Sequence, residues 1–105
     1  MSTIIYLAGP ITGVPDYLER FASAAGRLEA CGFTVINPAL VQLDGDQSWQ
    51  RYMRATTQLL TGADGVAVLD GWPSSRGALC EVLWAIQVGL IVRPVDEWIR
   101  TAGGR

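Results

Sequence analysis

The chain has 105 residues, half of them hydrophobic, which suits one domain over residues 1–105 and is too short for two. A formal net charge of −2 offers no clustered cationic surface for duplex nucleic acid, so no polynucleotide partner is expected. All eight basic residues are Arg and there is neither Lys nor His. That removes Schiff-base and Walker-type lysines, Ser-His-Asp triads and His-based metal sites, leaving carboxylates, hydroxyls and thiols for chemistry.

Thr3 to Ala8 is a β-branched run stopped by Gly9-Pro10, the pattern of a buried parallel strand entering a loop. Beyond Ile11 to Asp16, helical spacing places Leu18, Phe21, Ala22, Ala25 and Leu28 on one face, with Asp16 as the cap and Cys31-Gly32 as the stop. Phe33 to Ile36 reads as a second strand closed by Asn37-Pro38, and Leu43 to Ser48 as a polar, irregular loop. A helix is expected from Trp49 to Leu60, a third strand from Val66 to Leu69, a helix from Ser75 to Gly89 and a fourth strand over Leu90 to Val92. Asp96 to Arg100 reads as a closing helical turn, and the Gly-Gly-Arg end is expected to fray. Strands alternating with helices predict an α/β, three-layer fold with a four- to five-stranded parallel sheet covered by helices on both faces.

Cys31 and Cys80 form no metal or redox spacing and read as small buried residues of a reducing compartment. No signal-peptide pattern or bilayer-length apolar run occurs, because Glu81 and Gln87 interrupt the longest one, so a soluble cytoplasmic protein away from membranes is expected.

Ligands of such sheets sit beyond the carboxyl ends of the strands. That edge carries Gly9, Pro10, Ile11 and Gly13 in one loop, Asn37-Pro38 in another, and Asp70 to Ser75 in a third. Trp72 offers a face on which a base could stack. Ser75, Arg76 and Gly77 open a helix whose free N–H groups favour an anion, and Ser75 serves equally well as a simple cap. From Ala78 to Val92 the only polar side chains are Glu81 and Gln87. A carboxylate in so apolar a segment is either paired with an arginine such as Arg54 or Arg76, or used as a nucleophile or acid/base group.

Tyr6-Leu7-Ala8-Gly9-Pro10-Ile11-Thr12-Gly13, Val35-Ile36-Asn37-Pro38, and Gly71 to Ala78 followed by Glu81 together resemble the nucleoside 2-deoxyribosyltransferase superfamily, in its small phage and bacterial DUF4406 branch. The resemblance spans nearly the whole chain and implies a flavodoxin- or Rossmann-like form of the α/β fold. It implies N-glycosidic bond chemistry without metal or organic cofactor, with Glu81 as the nucleophile and Tyr6 orienting it. The Ser at position 75, where transferases tend to carry Asp, points toward a nucleoside 5′-monophosphate and hydrolysis. Asp64 matches the Asp preceding the third strand, but Thr56 stands where relatives carry the Asp that helps protonate the leaving base. Either Asp70 or substrate acidity then replaces that acid, or the protein binds a nucleotide with little turnover. The superfamily's habit of completing its pocket with a neighbouring copy implies a homodimer or larger homo-oligomer, joined where Trp49, Tyr52 and Trp84 lie. Asp44 and Asp46 flank Gly45 like a fragment of a calcium loop, but the further ligands are missing, so they read as a solvated loop.

Overall fold

The computed structural model describes residues 2–103. Four strands, β1 (Ile4–Ala8), β2 (Thr34–Ile36), β3 (Gly65–Val68) and β4 (Ile91–Pro94), form one sheet in the order β2-β1-β3-β4, every pairing parallel. Four helices, α1 (Tyr17–Ala30), α2 (Trp49–Leu60), α3 (Arg76–Gln87) and α4 (Val95–Gly103), alternate with them. Single 3₁₀ turns occupy Pro38–Leu40 and Trp72–Ser74. The expected α/β three-layer architecture is present, with four strands.

Successive side chains of a strand point to opposite faces. In β1 this sends Ile5 and Leu7 to one side, where Phe21, Ala24 and Leu28 of α1 and Trp98 of α4 close the core. Tyr6 and Ala8 go to the other side, under Leu60 of α2 and Ala78, Val82 and Ala85 of α3. Tyr6 therefore faces α3, a consequence of its parity in the strand.

The buried stripe of α1 is Phe21, Ala24 and Leu28, with Tyr17 and Ala25 packed alongside, and not the expected set that includes Leu18 and Ala22. Leu18 is 50% exposed, because the i, i+4, i+7, i+11 row beginning at Tyr17 points at the sheet. Asp16 precedes α1 without capping it; its carboxylate takes Arg20 instead, at 3.0 Å. Gly32 ends the helix at a φ of +95°, as its position predicts.

The core under α4 is tight. Trp98 donates from Nε1 to the carbonyl of Val66 at 2.9 Å and lies so close to Gly65 that a Cβ there would meet its ring at 2.7 Å. Cys31 and Cys80 are both exposed, contrary to the expectation of burial: one follows the last turn of α1 and the other lies on the outer side of α3. Among the described residues no helix is long and apolar enough to cross a membrane.

Candidate active site

The buried stripe of α3 runs Ala78, Glu81, Val82 and Ala85, the i, i+3, i+4, i+7 spacing of a core face, so the Glu81 carboxylate is carried inward with its apolar neighbours. It meets Tyr6, whose hydroxyl donates to Glu81 Oε2. No arginine forms an ion pair with Glu81 among the described residues, which disposes of Arg54 and Arg76 as structural partners. Burial pushes the Glu81 carboxyl up to about 7, against the opposing influence of hydrogen bonds from Tyr6 and Thr56. The Tyr6 hydroxyl is raised well above its ordinary value, first by burial and then by the adjacent carboxylate.

Glu81 lines a cavity of about 630 Å³ beyond the carboxyl end of β1. Tyr17, Phe21, Trp49 and Tyr52 give it aromatic walls, and Gly9, Ile11 and Thr12 of the first loop close another side. Gly77 at the second position of α3 also borders it, and its N–H, like those of any helix start, has no acceptor within the helix. Tyr52 is held in place by donating its hydroxyl to the Pro38 carbonyl at 2.9 Å; burial, and then the nearby Glu81, raise its pKa.

Of the residues singled out from sequence, Glu81, Gly9, Ile11 and Gly77 line this cavity, and Tyr6 stands behind its wall, bonded to Glu81. Pro10 and Asp70 line a second cavity with Arg20 and Arg27, and Asp70 does not border the Glu81 cavity. Trp72 packs against the core under α3 instead of presenting its face to the cavity. Gly13 takes a φ of +78° in the turn before α1 and does not line the cavity. Ser75 caps α3, its Oγ accepting from the Ala78 N–H at 3.3 Å. The Arg76 guanidinium lies 3.7 Å from the centre of the Trp49 ring.

Thr56 is fully buried behind the Tyr6–Glu81 pair, with its hydroxyl near both, and does not line the cavity. Asp64 serves the fold: its Oδ2 accepts from the Ile4 N–H at 2.8 Å and ties the start of β1 to the approach to β3.

Several residues that line the cavity are not the ones sequence spacing points to. Trp49 and Tyr52, which the resemblance sets at a junction between copies, form with Met53 and Thr56 an i, i+3, i+4, i+7 row on α2 that turns toward α3 and Glu81, so Trp49 and Tyr52 also line the cavity. The polar segment before α2, expected to be a solvated loop, is also a cavity wall, through Gln42, Leu43, Asp44 and Gln47.

This pairing of a buried carboxylate with a first-strand tyrosine sits within a chain whose residues 3–93 match the model of DUF4406, a domain of unknown function. The chain belongs to the DUF4406 family. The match takes in β1, β2 and β3, β4 as far as Arg93, and the whole of α1, α2 and α3, so the cavity and both members of the Tyr6–Glu81 pair are parts of the DUF4406 domain. No curated protein matches the chain. Among the described residues no group of three or more Cys, Asp or Glu side chains is placed to hold a metal ion.

Proposed function

We propose that this DUF4406 domain is an N-glycosidase that cleaves the base–sugar bond of a (2′-deoxy)nucleoside 5′-monophosphate through a covalent glutamyl intermediate. The observation that carries this reading is Glu81: buried, bonded by Tyr6 rather than by an arginine, and lining an aromatic cavity of about 630 Å³. A structural glutamate would be neutralised by a cation or turned to solvent; this one is held at a cavity wall.

In the proposed reaction Tyr6 anchors Oε2 and leaves Oε1 to attack C1′ of the sugar. The C1′–N bond breaks with its electron pair going to the base, which is protonated from solvent. Water then attacks C1′ from the vacated side, giving its proton to solvent, and the C1′–Oε1 bond breaks to return free Glu81 with retained configuration. The aromatic walls suit a flat base, and the Gly77 N–H at the start of α3 suits the 5′-phosphate, with the Ser75 hydroxyl hydrogen still available beside it.

Purified protein incubated with a panel of deoxynucleoside monophosphates is expected to release free base, and Glu81→Ala to stop release while the fold persists. A panel that stays intact with a folded protein sinks the catalytic reading.

One feature favours a second reading, a nucleotide-binding protein with little turnover. Thr56 lies behind the Tyr6–Glu81 pair and Asp70 lines another cavity, so neither supplies an acid to the departing base. Calorimetry that finds tight nucleotide binding without base release selects this alternative. Transfer of the enzyme-bound sugar to a second base in place of water is the same chemistry with a different acceptor.

We also infer a homo-oligomer. Leu79, Leu83 and Ile86 are 38%, 54% and 55% exposed on one side of α3, and a groove between α2 and α3 bordered by Met53 and Trp84 leads inward as far as Glu81. The stripe and the groove lie on different flanks of α3, so a second copy laid across its outer face would bury the stripe and, reaching over Cys80 and Trp84, cover the groove that leads to the carboxylate.

A further inference from the structure

The loop between β2 and α2 is held in a defined shape over the cavity. Arg51, in the first turn of α2, donates from Nη1 to the carbonyls of both Asp44 and Asp46. The Asp46 carboxylate accepts from the Ser48 N–H at 2.9 Å and from the Ser48 hydroxyl, and Ser48 in turn caps α2 through the Arg51 N–H. Gln47 bonds back to the carbonyl of Leu43 at 2.5 Å. Asp44 alone among these polar side chains has no hydrogen bond or ion pair with any described residue, and it lines the same cavity as Glu81. Of the acidic residues without such a partner, Glu19, Glu29, Asp44 and Asp70, only Asp44 borders that cavity.

We propose that Asp44 selects the base, favouring one whose outer edge carries an exocyclic amino group over its oxo counterpart. This deepens the nucleotide reading above and rests on it. An ionised carboxylate only accepts hydrogen bonds. Offered an amino group it gains a charge-assisted bond; offered a carbonyl in the same place it confronts two acceptors with no proton between them. Asp44 and Glu81 stand on different elements, the β2–α2 loop and α3, as a division between reading the base and attacking the sugar requires. Tyr17, Trp49 and Tyr52 line the same cavity as Asp44 and Glu81 and would hold the ring plane while its edge meets Asp44. The fixed backbone of the loop leaves only the side-chain torsions of Asp44 to be ordered on binding.

The test compares nucleotides that differ in a single group: dCMP against dUMP, and dAMP against dIMP, titrated calorimetrically into the wild-type chain and into Asp44→Asn. To prevent turnover during titration, the same series is repeated with Glu81→Gln. Wild type is expected to bind the amino member of at least one pair about ten- to hundredfold more tightly. Asp44→Asn, whose amide can donate to an oxo group, is expected to lose or reverse that preference with its melting temperature unchanged, since the carboxylate bonds to no protein group. Equal affinity within both pairs, or a preference that survives in Asp44→Asn, overturns this inference and leaves the nucleotide reading standing. Failure of all four nucleotides to bind a folded protein overturns the nucleotide reading and this inference with it.

Discussion

Glu81 combines two conflicting demands. Its place in the buried stripe of α3 disfavours the charged form, and the Tyr6 and Thr56 hydroxyls favour it; burial prevails, and the carboxyl is held near 7. Because the folded value lies above the unfolded one, the folded state binds the extra proton between about 4.5 and about 7. Stability from this group is complete below about 4.5 and is lost as pH rises through about 7, at most about 3 kcal/mol in all. In urea denaturation at pH 5 and pH 8, wild type is expected to weaken relative to Glu81→Gln on going to the higher pH; parallel behaviour of the two proteins contradicts a raised Glu81. Under the proposed reaction, where the carboxylate is the nucleophile, kcat/KM rises with pH on a limb near 7. Tyr6→Phe removes a bond that favours the anion, so the limb is expected to move to higher pH, with a loss of about 1–3 kcal/mol in stability at alkaline pH.

Between elements, side-chain parity and helical rows decide which groups meet. The alternation along β1 puts Tyr6 on the α3 side, and the Trp49, Tyr52, Met53, Thr56 row of α2 brings aromatic walls and a buried hydroxyl to the same place. The opposite layer depends on a close approach, since Gly65 leaves room for the Trp98 ring that bonds the Val66 carbonyl and packs edge-on to Phe33. Gly65→Ala drives a methyl into that ring and is expected to destabilise the fold by about 1–3 kcal/mol, read as a lower denaturation midpoint. An unchanged midpoint would mean that α4 moves away freely and contributes little to the core.

For the molecule as a whole, strand order sets the geography. With β1 and β3 adjacent at the centre, the loops leaving them share one edge of the sheet, and that edge carries two cavities, one with Glu81 and one with Asp70, Phe21 bordering both. The apolar stripe of α3 that remains outside, Leu79, Leu83 and Ile86, belongs to the inferred contact with a second copy. Light scattering at micromolar concentration is expected to give a dimer or larger species, and Leu83→Glu to shift it toward monomer. A monomeric wild-type chain overturns the oligomer.

The alternation of apolar strands with amphipathic helices, the stops at Gly32 and Asn37-Pro38, and the isolation of Glu81 in an apolar helix are local properties, so they are legible in the sequence. So is the Ser75 cap, because a hydroxyl one residue before a helix reaches the N–H three residues on whatever surrounds it. What lies beyond local chemistry is the choice among equivalent partners. That Glu81 takes Tyr6 and not an arginine, that Asp70 and Trp72 fall outside the cavity, that Trp49 and Tyr52 face into it, and that Asp44 borders it all depend on how layers distant in sequence are stacked. Sequence spacing determines which side of its own element a side chain occupies; only the packing of one element on another determines what that side faces.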